Sequence, residues 1–176
     1  MSVFSPLSER LRVAHLSPNR DNPFDIAPDA AARREIAAEL SLSELPHMRF
    51  SGRVQASGAE EWALDGKLSA TVVQPCVITL DPVTTEISET VSLLFSPHVA
   101  APEEDEVEMG DDSVEPLGQW IDIGAIAIEA LSLALPTHPR APGAELPEDA
   151  SDPGPEEESS RKPFAGLADL MKRGEN

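Results

Sequence analysis

The sequence predicts an α+β fold: an antiparallel β-sheet, a meander with the option of curling toward a barrel, packed by one buried helix and followed by a disordered acidic tail. Three observations predict it. Between residues 48 and 95, apolar residues recur at every second position in successive runs joined by short turn signals. One long apolar run, WIDIGAIAIEALSLALP (residues 120–136), follows those strands and stops at a proline. Beyond it the composition shifts to Pro, Gly, Ala and acid, which cannot bury enough apolar surface to offset the entropy of ordering.

Taken in order, residues 8–16 place Leu11 and Val13 between Arg10 and Arg12, the alternation of a short strand. SPNRDNPFDI (17–26) reads as turn. A helix is expected from about Pro28 to Leu40, with Pro28 and Asp29 suited to its first turn and Ile36 and Leu40 on one face. Met48, Phe50, Gly52, Val54 and Ala56 then alternate with Arg49, Ser51, Arg53 and Gln55. After a Ser57-Gly58 turn, Trp62, Leu64, Gly66, Leu68, Ala70 and Val72 alternate with Asp65, Lys67, Ser69 and Thr71. A short apolar piece (76–80) and an Asp81-Pro82 turn lead to a third run, in which Val83, Thr85, Ile87, Glu89, Val91, Leu93 and Phe95 share a face. In the helix that follows, Asp122 is placed to cap the N-terminus, with Ile121 before it and Ile126 at the fourth helical position, the spacing of a hydrophobic staple. Only Ala125, Glu129 and Ser132 form its polar strip, so the helix should lie largely buried across the sheet. The expected domain is residues 1–142 with an acidic loop, 100–116, inserted. A disordered acidic linker, 143–160, tethers a short amphipathic motif, 161–176.

Charge is segregated. The net charge of −19 falls within residues 68–160, where Arg140 is the only base. Such a surface repels phosphate backbones and attracts basic partners. Part of the acid is a loop, PEEDEVEMGDD (102–112), which reads either as a solubilising segment or as a cation-attracting one; it lacks the ligand spacing of a calcium loop. No secretory signal opens the chain, and the apolar run at 123–135 is too short to span a bilayer, so a cytoplasmic protein is expected. No phosphate-binding loop, dinucleotide fingerprint or nucleophile elbow occurs. The four histidines stand far apart, and Cys76, the only cysteine, reads as a buried structural thiol. These absences argue against an enzyme and imply no cofactor.

Three pieces occur together in a set order: CVITLDPV (76–83), then WIDIG (120–124) opening a helix that ends ALP (134–136), then PFAGLADL (163–170). The set resembles the YceD family, the large ribosomal RNA subunit accumulation proteins, over about Phe50 to Pro142 plus the terminal motif. The resemblance marks Cys76, Leu80, Pro82, Asp122, Gly124 and Pro136 as family-motif residues with a structural part. Its implied role is non-enzymatic support of large-subunit ribosomal RNA accumulation. Many members of the family carry C-x-x-C here; this chain has Thr79 in the second place and no cysteine after the helix, so a four-ligand zinc site is not expected.

Together these readings imply a bacterial ribosome-assembly factor whose partner is a basic ribosomal protein or a pre-large-subunit particle. The expected contact residues are Glu103, Glu104, Asp105, Glu106, Glu108, Asp111 and Asp112 in the loop, and Phe164, Leu167 and Leu170 in the terminal motif. Direct RNA contact comes second. It would use an arginine patch assembled from Arg10, Arg12, Arg20, Arg33, Arg34, Arg49 and Arg53, without the interleaved aromatics that RNA modules use. No membrane or small-molecule ligand is implied.

Overall fold

A computed structural model describes residues 7–98 and 114–145. Its centre is three long strands, β3 (Glu44–Ser57), β4 (Glu61–Pro75) and β5 (Pro82–Ser96). They pair antiparallel, and β4 and β5 keep one unbroken register from Trp62↔Phe95 to Pro75↔Pro82. The edge strand β2 (Asn22–Ile26) pairs antiparallel with β3, and a short β6 (Val114–Pro116) pairs with the end of β5. A separate ribbon joins β1 (Arg10–Arg12) to β7 (Trp120–Asp122). Helix α1 (Ala30–Glu39) lies between β2 and β3 in the chain, and α2 (Ile123–Ala134) follows β7 directly.

The fold is α+β, with two corrections. The five-stranded sheet, ordered β2-β3-β4-β5-β6, stays open and does not close into a barrel. It is also not wholly antiparallel, because β6 runs parallel to β5. A third difference concerns 17–26, expected as turn: its second half is strand β2. Pro23 is tolerated there because β2 is an edge, where one side needs no N–H donor.

One face of the sheet carries the core. Phe24, Ile26, Met48, Phe50, Val54, Leu64, Leu68, Ala70, Val72, Ile87 and Phe95 are buried there beneath Ile36 and Ala37 of α1 and Ile123, Ala127, Ile128 and Leu131 of α2. Two facing glycines shape this layer. Gly52 pairs with Gly66, and a Cβ on Gly66 would collide with the Phe50 ring. The rings of Phe24 and Phe50, tilted with centroids 5.1 Å apart, occupy the space that side chains would fill.

The helices are capped by local chemistry. Asp29 is the N-cap of α1 rather than part of its first turn, accepting from the N–H groups of Ala31 and Ala32, each at 2.9 Å. These bonds, that of Ala32 first, hold its carboxyl below the usual value. α1 ends in a Schellman motif with Ser41 in the left-handed region (φ 56°), Ser41 N–H donating to Ala38 and Leu42 N–H to Ala37. At α2, Asp122 accepts from the Ala125 N–H at 3.0 Å. Gly124, the second helical residue, has no room for a side chain because the Leu7 carbonyl sits against it.

The expected polar strip of α2 is exposed at Ala125, Glu129 and Ser132, joined by Leu133, which is 81% exposed. No described helix is long and apolar enough to cross a membrane.

Candidate functional site

The family-motif residues gather at the two ends of α2. Cys76 and Leu80 lie in the β4–β5 loop, and Pro82 opens β5. That loop is closed by Cys76 N–H donating to the Asp81 carbonyl (2.8 Å) and Leu80 N–H donating to that of Cys76 (3.0 Å). To close the turn, Leu80 adopts a left-handed backbone (φ 64°) and leaves its side chain 76% exposed. A non-glycine residue in that conformation stores of order 1–3 kcal/mol of strain.

The segment after α2 returns to this loop. Gln74 Nε2 donates to the Pro136 carbonyl at 3.3 Å, Val77 N–H to that of Pro139 at 3.0 Å, and Ala141 N–H to Cys76 Sγ at 3.3 Å. Sγ also accepts from the N–H groups of Ile78 and Thr79, each at 3.4 Å. The thiol is wholly buried. Its donors, Ala141 first and then Thr79, lower its pKa from the ordinary 9.0 to about 6, although burial pushes the other way. Chemically this is a buried sulfur whose backbone and Thr79 side-chain donors favour the thiolate, and it ties the β4–β5 loop to the far end of α2. Among the described residues no group of three or more His, Cys, Asp or Glu is placed to hold a metal ion.

At the other end of α2, Asp122 does two jobs. It caps the helix through Oδ1, and its Oδ2 accepts from Arg10 Nε at 2.7 Å across the β1–β7 ribbon. The acids Glu103, Glu104, Asp105, Glu106, Glu108, Asp111 and Asp112, and the apolar Phe164, Leu167 and Leu170, lie outside the described residues.

The arginines expected to form one patch are divided between separate structures, and most are already engaged. Arg10 and Arg12 stand on the ribbon, Arg12 with its guanidinium 5.7 Å from the Trp120 ring centroid. Arg49 and Arg53 stand on β3. Arg49 grips Asp25 with two bonds, 2.8 and 2.6 Å, and that hydrogen bond holds the Asp25 carboxyl below its usual range. Arg53 meets Asp21 at 3.4 Å. Arg33 donates to the carbonyls of Pro28 (2.7 Å) and Leu45 (3.1 Å). Arg20 and Arg34 are exposed. Cross-strand pairing explains what sequence reasoning missed: Asp25 sits opposite Ser51, diagonal to Arg49, so its partner is 24 residues away in the chain.

The uncovered face of the sheet is mainly polar, with Arg49, Ser51, Arg53, Asp65, Lys67, Ser69, Glu86, Ser88, Thr90 and Ser92 alternating against the core positions, and Pro23, Ala63, Val73 and Leu94 among them. A shallow surface depression there, lined by Arg53, Asp65, Lys67 and Thr90 among others, has bases and acids side by side.

These features define a two-layer α+β protein with one covered and one open sheet face, its long hairpin loop bound back to the end of its second helix. The chain matches the family described as "Large ribosomal RNA subunit accumulation protein YceD" over residues 64–171, well over half its length, and it belongs to that family. The match begins inside β4 and takes in the Cys76 loop and all of α2. Neither a curated protein nor a solved structure matches the chain.

Proposed function

We propose that this protein is a non-enzymatic ribosome-assembly factor that supports accumulation of large-subunit ribosomal RNA by holding a basic ribosomal protein, or a pre-large-subunit particle through its basic proteins. Membership of a family described by large ribosomal RNA subunit accumulation supplies the process. Charge supplies the mode of contact. The observation that carries it is the contrast between bases already engaged and an excess of acids in the sequence. Arg10, Arg49 and Arg53 are each held by a carboxylate and Arg33 by two carbonyls, while the excess of −19 falls in residues 68–160, where Arg140 is the only base. A surface of that sign gains by meeting cations and loses by meeting phosphates.

In this reading residues 1–142 are the folded recruiting domain. The acids of the inserted loop attract the partner. The motif at 161–176, on its acidic tether, adds an apolar contact through Phe164, Leu167 and Leu170.

A tagged pull-down from bacterial lysate, at low and at half-molar salt and with and without RNase, tests the reading. Ribosomal proteins retained after RNase and released by salt are the expected result, because exposed charge pairs are screened beyond a Debye length of ~10 Å at 0.1 M salt and ~3 Å at 1 M. Capture that vanishes with RNase, and with charge reversal at Arg49 and Arg53, would instead support direct RNA binding.

A further inference from the structure

The outer edge of β5 is unpaired over most of its length among the described residues. Strand β5 is bonded to β4 along its whole length, but on its other side β6 reaches only Leu94, Phe95 and Ser96. From Val83 to Leu93, every N–H and C=O that does not face β4 lacks a strand partner among the described residues.

Long edges of this kind are normally blunted by charged side chains, internal prolines, bulges, brevity or a covering helix or loop. Among the described residues this one has only the charges of Glu86 and Glu89. Residues 83–93 contain no Lys, Arg, Pro or Gly, the register with β4 is unbroken, and Val, Ile and Thr dominate the run. It is a continuous, β-prone template.

Its charge selects what can add to it. Glu86 and Glu89 are its only charged residues, and both are exposed. Being three apart, they project from opposite faces of the sheet. Glu89 shares the core-side face with Ile87 and Val91, opposite Leu68, yet it is exposed, so the covering layer stops short of the edge and leaves that face reachable. A second copy pairing antiparallel along this edge would set glutamates beside glutamates, which disfavours self-association. A strand with basic residues three apart would place one on each face, against each glutamate.

We infer that the β5 edge, residues 83–93, accepts an extended basic peptide as an added strand, with backbone hydrogen bonds giving affinity and Glu86 and Glu89 selecting lysine or arginine. This rests on the reading above that the partner is basic, and it names where on the folded domain an extended basic segment would sit.

The test uses the full-length protein and a capped synthetic peptide of Val and Thr with two Lys placed three apart. Hydrogen exchange at saturating peptide should slow alternate amides within residues 83–93 and few others. Two further peptides, N-methylated on opposite alternate sets of amides, separate a strand from mere charge attraction: one should bind like the parent and the other at least tenfold more weakly. The Glu86→Gln, Glu89→Gln double variant, whose exposed positions leave folding intact by circular dichroism, should weaken the parent peptide about tenfold.

Equal binding of both N-methylated peptides, protection mapped elsewhere, or no binding at all would each overturn the edge proposal. Protection mapped to another acidic segment would leave the basic-partner reading standing. That reading fails separately, if the pull-down retains no ribosomal protein after RNase.

Discussion

At Cys76 three backbone N–H groups converge on one sulfur, two from its own turn and one from Ala141, 65 residues further along the chain. Backbone donors favour the thiolate, so the folded protein binds the thiol proton less tightly than the unfolded chain does. The group's folded pKa, about 6, lies below the ordinary 9.0. Its contribution to stability is therefore present in full above pH 9 and is lost as pH falls through 6. Between those limits wild-type stability should rise with pH, and in Cys76→Ala that component of the slope should vanish. Urea unfolding at pH 6, 7, 8 and 9 on both proteins measures it; parallel pH profiles would remove the thiolate from the account. Buried as it is, the same thiol should react slowly with alkylating agents until the protein unfolds. The burial of the residue was legible in the sequence, since a lone cysteine with no basic neighbour reads as a buried structural thiol. Its third donor was not, because a backbone N–H leaves no trace in residue identity. The arginines failed to read as pairs for a related reason: Asp25 and Asp21 become partners of Arg49 and Arg53 only once β2 lies beside β3.

Among the elements, α2 is the one whose burial decides the fold. Leu131 is fully enclosed between the helix and the sheet, while Leu133, two residues on, is 81% exposed. Leu131→Ala should therefore cost about 2–5 kcal/mol, and Leu131→Asp should leave no folded domain. Leu133→Ala should stay within about 0.5 kcal/mol of wild type, as surface substitutions do. Denaturant melts of the three variants check the helix's orientation as well as its burial, since a helix rotated by half a turn would reverse the order. Its orientation was readable from a 100° period in a long segment. So were β3, β4 and β5, whose alternation runs long enough to tell 2.0 from 3.6. Strands of three residues have no measurable period. For that reason Trp120–Asp122 merged into the apolar run of the helix, although it is strand β7 paired with β1. For the same reason Val114–Pro116 fell into the expected acidic loop, although it is strand β6. Strand β2 was hidden by its own turn chemistry, because Asn22 and Pro23 signal turns wherever the tertiary context does not make them an edge.

On the scale of the whole molecule, net charge and its placement carry the functional argument, and they make a claim that no single pair could. Exposed pairs such as Arg49–Asp25 and Arg53–Asp21 add little to stability, yet they cancel the charge of bases that could have met phosphate. The acids between residues 68 and 160 have no comparable supply of bases, so their field adds up rather than cancelling. If that field recruits a basic partner, replacing Glu103, Glu104, Asp105, Glu106, Glu108, Asp111 and Asp112 together by the matching amides should weaken capture of ribosomal proteins. It should also flatten the dependence of capture on salt, because fewer screened charges then contribute. The change should fall mainly on the association rate, as it does when steering charges are removed from a surface. Unfolding by urea should be unchanged, since the described core is built without the substituted residues. Reversing Arg49 and Arg53 should leave capture intact. Surface-binding kinetics with a purified basic ribosomal protein, at two ionic strengths, read all of these at once. An amide variant that associates as fast as wild type and keeps its salt slope would show that charge in this loop is solubilising only.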